Sequence, residues 1–274
     1  MKRPFQQVDV FTAEPYRGNP LAVVLDGEGL STEQMQRFAH WTNLSETTFV
    51  LPPTSREADY RVRIFTPTLE LPFAGHPTLG TCHAWLSGNE RPGTIVQECG
   101  AGLIQIRQDG SRLSFAAPPL LREGPVEASL LSELAGGLGI GVEDVVDAAW
   151  ADNGPGWVAL LLRSADAVLA LDPGELRHDV GVVGAYPGGS PYAFEVRAFF
   201  PKDGQTVEDP VTGSLNASLA QWLLSTGRAA TPYTASQGTA LGRAGRVHLD
   251  RDADGTVWVG GDVVTCVEGT VHIG

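Results

Sequence analysis

The sequence predicts an α+β protein built as a pseudo-twofold pair of domains. Its 274 residues suggest about two domains. Residues 65–80 and 200–213 form an internal repeat, in which a phenylalanine is followed by an ionisable residue and proline, with a glycine three residues after the proline and a helix beyond. Chance recurrence of an ordinary Pro-x-x-Gly helix start is the alternative. Residues 117–126, with three prolines and a glycine, predict the boundary between the domains.

The first half alternates strands with two helices. Ser31 and Gln34 form a capping-box pattern, which predicts a helix over 32–42. Pro77 at a first helical position predicts a second helix over 77–86. Asp109-Gly110 predicts a hairpin. Period-two or apolar runs predict strands at 7–11, 21–25, 47–51 and 60–65.

The second half follows the same plan. A helix is predicted at about 127–136, and a stronger one over 210–224, where Val211, Leu215, Leu219 and Trp222 form an apolar stripe. Strands are predicted at 156–163 and 193–200, and a late hairpin at Asp254-Gly255.

Composition narrows the class of partner. Thirty-two acidic and nineteen basic residues give a net charge of -13, which argues against nucleic acid or an anionic membrane surface as a partner. Three scattered cysteines suit a reducing compartment. The opening residues enter a strand and no apolar run is long enough to cross a bilayer, so we expect a soluble cytoplasmic protein.

The repeated helix starts indicate a chemistry. A helix amino terminus offers unpaired N–H groups and partial positive charge, which bind a carboxylate or stabilise a developing enolate. Two such ends facing each other across a cleft favour proton abstraction beside a carboxylate, without a metal or an organic cofactor. The nearby acid/base candidates are Glu46, His76, Asp209 and the cysteines.

Several motifs, arriving in one order along the chain, resemble the PhzF-like phenazine-biosynthesis isomerase family. They span the chain from about residue 7 to its end. The matching segments are Gly18-Asn19-Pro20, Asn43-Leu44-Ser45-Glu46-Thr47, residues 70–78, residues 97–102, residues 208–214 and Ser236-Gln237-Gly238.

The resemblance implies the diaminopimelate-epimerase-like fold, with two pseudo-twofold related domains, each a curled, mostly antiparallel sheet around a central helix, and the active site between them. The last strand is then expected to return to the first domain. The expected bounds are 1–117 plus about 264–274 for the first domain and 118–263 for the second. A homodimer is also implied.

The resemblance also assigns roles to residues. Glu46 becomes the general acid/base, although alone it would be interpreted as a surface glutamate at a strand start. His76 and Asp209 bind polar groups of the substrate, with helix capping as the simpler alternative for each. Gly75, Gly213 and Ser214 approach the substrate carboxylate, and Ser214 could instead be a local cap. Asn19 either lines the site or is a turn residue.

The sequence departs from relatives on the same fold in one informative way. Diaminopimelate epimerases and proline racemases place a cysteine at each of two helix ends, where this chain is expected to have Gly75-His76 and Asp209-Pro210. A two-thiol mechanism is therefore disfavoured. Cys82 is expected in the core and Cys266 in a structural position, whereas Cys99 is ambiguous.

Other site types are set aside. Residues 137–141 lack the spacing of a dinucleotide fingerprint. His76 and His83 share a helix face, but no third metal ligand accompanies them.

The leading hypothesis is a cofactor-independent, metal-free isomerase that moves a proton within a small carboxylic acid, expected to be cyclic and to carry an amino group. The alternatives are an amino-acid racemase or epimerase, and a non-catalytic protein that binds small acids.

Overall fold

The structure is a computed structural model that describes residues 1–88 and 93–274. These residues form two compact units, the first comprising Met1–Ala116 and Gly260–Gly274 and the second Ala117–Val259. Each unit combines sheet strands with few helices, so the predicted α+β class is confirmed.

A mixed sheet and two helices make up the first unit. Strands β18, β1, β2, β3 and β4 pair in that order; β4 also pairs with β5 and β6, and β6 continues to β7 and β8. The β2–β3 and β4–β6 pairs are parallel, and the others are antiparallel. The elements are β1 (Lys2–Val10), β2 (Asn19–Val24), α1 (Thr32–Thr42), β3 (Glu46–Leu51), β4 (Tyr60–Phe65), β5 (Glu70–Leu71), α2 (Gly75–Leu86), β6 (Ile95–Cys99), β7 (Gly102–Asp109), β8 (Arg112–Ala116) and β18 (Val263–His272).

Helix α1 has the predicted bounds because its signals are local. Ser31 and Gln34 form the capping box, and Asn43 ends the helix in the left-handed region with φ 54°. Met35 and Ala39 are buried against apolar residues of the sheet. The predicted hairpin at Asp109-Gly110 is also confirmed, between β7 and β8.

Helix α2 is the central helix of the first unit, and nine of its twelve residues are buried. A side chain at Gly80 would place its Cβ 2.6 Å from the Leu21 Cδ2 atom, so glycine permits close contact with the sheet. The helix begins at Gly75, two residues earlier than predicted. Pro77 is therefore its third residue, where a missing N–H leaves no helical hydrogen bond unmade.

The second unit has the same kinds of elements. Strands β9, β10, β11, β12 and β13 pair in that order; β13 also pairs with β14 and β15, and β15 continues to β16. The elements are β9 (Arg122–Pro125), α3 (Ala128–Gly137), a 3-10 helix (Val142–Asp144), β10 (Val145–Asp152), β11 (Val158–Leu162), α4 (Ala165–Leu169), β12 (Val180–Ala185), β13 (Phe194–Lys202), β14 (Gln205–Asp209), α5 (Gly213–Ser225), β15 (Tyr233–Gln237), a 3-10 helix (Thr239–Leu241), β16 (Gly245–Arg251) and β17 (Val257–Gly261), whose last two residues belong to the first unit.

Helix α5 begins at Gly213, three residues later than predicted. Asp209 pairs with Ala198 as the last residue of β14, and this pairing holds it in an extended conformation. Thr212, with φ -112° and ψ 102°, occupies the N-cap position. The alternative in which Asp209 caps a helix opened by Pro210 is therefore wrong.

The strands of the two units follow one pairing plan. In the first unit, Ile64 pairs with both Thr48 and Leu71; in the second, Ala198 pairs with both Gly181 and Asp209. Ile64 and Ala198 each lie between two partner strands, and both partners are antiparallel. Thr48 is therefore the counterpart of Gly181, and Leu71 is the counterpart of Asp209.

This register corrects the predicted repeat. Each central helix begins four residues after the paired position, so Gly75-His76 corresponds to Gly213-Ser214. The predicted match of His76 with Asp209 is wrong. Phe65 pairs with Glu70, five residues later, whereas Phe199 pairs with Glu208, nine residues later. The second hairpin is therefore four residues longer, which shifts the Asp209-Pro210 motif out of register with His76-Pro77.

A buried ion pair holds that longer hairpin. The Arg197 guanidinium donates to both carboxylate oxygens of Glu208, at 3.0 and 2.7 Å. It also donates to the Leu171 carbonyl oxygen at 2.6 Å. Only 6% and 10% of the two side chains are exposed, so each charge depends on its partner.

Candidate active site

The first unit brings Glu46 and His76 together. Glu46 is the first residue of β3, and His76 is the second residue of α2. The Glu46 Oε2 and His76 Nε2 atoms lie 3.2 Å apart. The Glu46 side chain is 15% exposed and that of His76 only 6%. A largely buried carboxyl group with an imidazole beside it is a suitable arrangement for acid/base chemistry.

Asn19 orients the imidazole. It is fully buried as the first residue of β2, and its Nδ2 lies 3.5 Å from His76 Nδ1. An amide nitrogen only donates, so Nδ1 accepts and the ring proton resides on Nε2, facing Glu46. Asn19 thus contacts a predicted site residue from within a strand.

Burial lowers the pKa of His76 to about 3. The ring is therefore neutral near pH 7, and its Nε2 atom lies beside the Glu46 carboxyl group without a positive charge.

The depressed pKa of His76 predicts a pH-dependent stability. The unfolded chain binds this proton near pH 6.5, whereas the folded chain binds it only near pH 3. The contribution is present above pH 6.5, and we expect the free energy of unfolding to fall by about 1.4 kcal/mol per pH unit below that. Urea denaturation at pH 7 and 5 should show a smaller decrease in His76→Gln. The exposed His40→Gln variant is the control, and equal decreases in both variants would contradict the expectation.

Gly75 and His76 also form the start of α2. Ala74 is the N-cap and, among the described residues, its side chain makes no capping hydrogen bond. The alternative in which His76 caps the helix is therefore wrong. The first-turn N–H groups and the positive end of the helix dipole remain suited to an anionic group.

In the second unit a buried network fixes the start of α5. The Thr212 hydroxyl donates to Asp209 Oδ2 at 2.6 Å. Gln237 Oε1 accepts from the Thr212 backbone N–H at 3.0 Å and from Asn216 Nδ2 at 2.7 Å. Gln237 Nε2 donates to the Asp209 carbonyl oxygen at 3.2 Å. The carboxylate of Asp209 is thereby positioned beside the first turn of α5.

Gly213 and Ser214 open α5, as Gly75 and His76 open α2. Ser214 Oγ accepts from Trp157 Nε1 at 3.1 Å, and its carbonyl oxygen accepts from Asn153 Nδ2 at 2.9 Å. The hydroxyl therefore meets an indole donor from the β10–β11 loop. No sequence signal pointed to Asn153 or Trp157, whereas Gln237 lay in a matched motif without an assigned role.

The pKa values of all three cysteine thiols are raised. Cys82 is buried in the core as predicted, and burial raises its pKa to about 12. Burial also raises the pKa of Cys99 and of Cys266. The two helix starts are Gly75-His76 and Gly213-Ser214, so neither carries a thiol.

Within residues 1–88 and 93–274, no three His, Cys, Asp or Glu side chains are grouped as metal ligands. In the same residues, no helix combines the length and the apolar character needed to span a bilayer.

Most of the chain matches one protein-family model. The PhzC-PhzF family model, described as phenazine biosynthesis-like protein, matches residues 8–269. "Antisense-enhancing sequence 1" of Schizosaccharomyces pombe is 38% identical and covers 98% of each chain. Trans-2,3-dihydro-3-hydroxyanthranilate isomerase of Pseudomonas aeruginosa is 34% identical, over 97% of this chain and 98% of its own.

Solved structures show the same fold. A PhzF-family protein of Bacillus anthracis superposes with a TM-score of 0.84 at 24% identity, covering 100% of both chains. A hydroxyproline epimerase of Agrobacterium vitis has a TM-score of 0.59 at 13% identity and covers 98% of this chain and 92% of its own. The fold is therefore shared with a protein named as an epimerase.

Proposed function

The chain belongs to the PhzC-PhzF family of phenazine biosynthesis-like proteins and is an isomerase, and from that premise we propose a specific reaction. It moves a proton between two carbons of a small, cyclic, amino-bearing carboxylic acid. Glu46 is the general acid/base, and the reaction needs neither a metal nor an organic cofactor.

The contact between Glu46 and His76 carries this proposal. A carboxylate takes the proton from one carbon, becomes the neutral acid, and returns the proton to another carbon, so no external proton donor is required. The neutral His76 ring lies against the Glu46 carboxyl group, with its Nε2 atom 3.2 Å from Glu46 Oε2. The remaining exposed fraction of Glu46 leaves it accessible to a substrate.

The intermediate carries negative charge, for which the helix starts provide stabilisation. We assign Gly75, Gly213 and Ser214 to the substrate carboxylate, since their positions at the first turns of α2 and α5 suit an anion. His76 and Asn19 belong to the same substrate-binding set. Asp209, positioned by Thr212, binds a donor group of the substrate such as its amine.

A racemase or epimerase remains the alternative outcome of the same acid/base group. It would return the proton to the carbon from which it came, with inversion. A non-catalytic binding protein is disfavoured because curated relatives are named isomerases over nearly the whole chain.

Deuterium incorporation from D₂O tests the proposal. The protein is incubated with a panel of cyclic and amino carboxylates that includes trans-2,3-dihydro-3-hydroxyanthranilate, the compound named for the Pseudomonas aeruginosa relative. We expect a positional isomer of one acid, located by NMR. Deuterium at the original carbon with inversion would support the racemase alternative, and binding without exchange would contradict catalysis.

A further inference from the structure

Two of the motifs that resemble the family contain glycines with no assigned role, one in the turn after β6 and one directly after β15. The strand register relates these two places. Tyr60 of β4 pairs in parallel with Gln97 of β6, and Phe194 of β13 pairs in parallel with Ala235 of β15. Tyr60 and Phe194 each lie four residues before the positions of β4 and β13 that correspond to each other. Gln97 is therefore the counterpart of Ala235.

The same register makes Gly100 the counterpart of Gly238, since each lies three residues after these matched positions. It also makes Pro72 the counterpart of Pro210, because the two prolines directly follow the matched last residues of β5 and β14. Each glycine packs against the proline of its own unit. Both prolines lie three residues before a central helix begins. The two units thus repeat one contact, between a glycine and the segment that leads into the helix.

In the first unit this contact joins two stretches of backbone. A Cβ atom on Gly100 would lie 2.9 Å from Pro72 Cα, closer than Cβ atoms approach backbone in proteins. The neighbouring Ala101 N–H donates to the Pro72 carbonyl oxygen at 3.0 Å. Gly100 has no positive φ, so the close approach, and not the backbone angle, requires glycine here. An alanine would therefore push Pro72 away from the turn.

In the second unit the contact is equally close. A Cβ atom on Gly238 would lie 2.5 Å from the Pro210 carbonyl oxygen, and its φ of 85° also favours glycine. The preceding Gln237 donates to the Asp209 carbonyl oxygen at 3.2 Å and accepts from the Thr212 N–H at 3.0 Å. The end of β15 thus contacts the chain on both sides of Pro210, between Asp209 and the start of α5.

The segment beside Gly100 leads directly to the candidate acid/base pair. His76 follows Pro72 by four residues and is the second residue of α2. Its Nε2 atom lies 3.2 Å from Oε2 of Glu46, which belongs to a different element, β3. A displacement of Pro72 is therefore expected to change this distance. Misplacing a catalytic group by about 1 Å can lower a rate by about 10²-fold.

We propose that Gly100 and Gly238 are positioning residues of the isomerase. This inference rests on the proposed function. Gly100 keeps His76 in place beside Glu46, and Gly238 keeps Asp209 in place beside the first turn of α5. Both glycines act through the prolines that precede the helices and not on the reacting atoms.

Gly100→Ala tests the first contact. We expect the variant to fold and its rate of deuterium exchange to fall by about 10- to 10²-fold, because His76 is displaced from Glu46. The ¹⁵N chemical shifts of the His76 ring should move as well, which a loss of stability alone would not cause in the folded protein. Gly269→Ala is the matched control in the same unit, since its Cβ would meet nothing within 4 Å. It should keep the wild-type rate and shifts.

Gly238→Ala tests the second contact and keeps the inference falsifiable if Gly100→Ala does not fold. We expect the KM to rise by about 10-fold, because Asp209 is assigned to a donor group of the substrate. Gly188→Ala, whose Cβ would also meet nothing within 4 Å, is the control in this unit and should keep the wild-type KM. A folded Gly100→Ala protein with the wild-type rate and His76 shifts would overturn the inference, as would a folded Gly238→Ala protein with the wild-type KM.

Failure of this inference and failure of the proposed function give different results. Loss of exchange in Glu46→Gln, together with wild-type behaviour of both glycine variants, would overturn the inference and leave the proposed function standing. Absence of exchange in the wild type on every compound would contradict the proposed function, whereas the His76 shifts of Gly100→Ala would still report whether the turn positions α2.

Discussion

Replacing Glu46 with glutamine is expected to lower the rate of proton transfer by about 10³-fold, because an amide neither accepts nor releases the proton that the carboxyl group carries. Glutamine preserves the size of the side chain and can still meet His76, so the fold should be unchanged. The measurement is deuterium incorporation from D₂O, read by mass spectrometry under single-turnover conditions.

Two further variants define the specificity of this effect. Glu46→Asp withdraws the carboxyl group by one methylene from a contact of 3.2 Å, and we expect partial loss of activity. Glu57→Gln changes an exposed glutamate and should retain the wild-type rate. An active Glu46→Gln protein would exclude Glu46 as the acid/base group and direct attention to His76 and Asp209.

The largest loss of stability is expected from Arg197→Met. The substitution leaves Glu208 charged in a position where its side chain is only 10% exposed. Removing one partner of such a buried pair costs about 3–5 kcal/mol. Guanidinium denaturation of the wild type and of the variant measures the change in the free energy of unfolding.

A second ion pair in the same unit provides the matched control. Arg228 and Asp147 are also 2.7 Å apart, but about a third of each side chain is exposed. Arg228→Met should therefore cost no more than about 1 kcal/mol. The double variant Arg197→Met/Glu208→Leu should recover much of the loss, since neither charge remains buried. Equal effects of the two single variants would refute the argument from burial.

Local sequence signals predicted the bounds of an element correctly where neighbouring residues alone determine those bounds. Helix α1 has its predicted bounds because Ser31 and Gln34 close its first turn and Asn43 ends it. The predicted starts of α2 and α5 were wrong because these helices begin a fixed number of residues after strands β5 and β14 end. The ends of β5 and β14 are determined by their pairing with β4 and β13. The residues around Pro77 and Pro210 do not encode that pairing.

The candidate site shows the same limit. The resemblance to a family singled out Glu46, His76 and Asn19, which the structure brings into contact. It carried no information on Asn153 and Trp157, which donate hydrogen bonds to Ser214 and lie outside every matched motif. Those contacts join the β10–β11 loop to the start of α5, and no local sequence pattern encodes them. The roles of all these residues, and the predicted domain bounds as folding units, stay predictions.

The pairing of strand β18 with β1 determines when the first unit can complete its sheet during synthesis. Strand β18 pairs with β1 along nearly the whole length of that strand, joining residues as far apart in sequence as Lys2 and His272. During synthesis, β1 is made before the second unit and its β18 partner after it. A nascent or truncated chain that lacks residues 263–272 therefore presents an unpaired sheet edge, and such edges recruit other chains into aggregates.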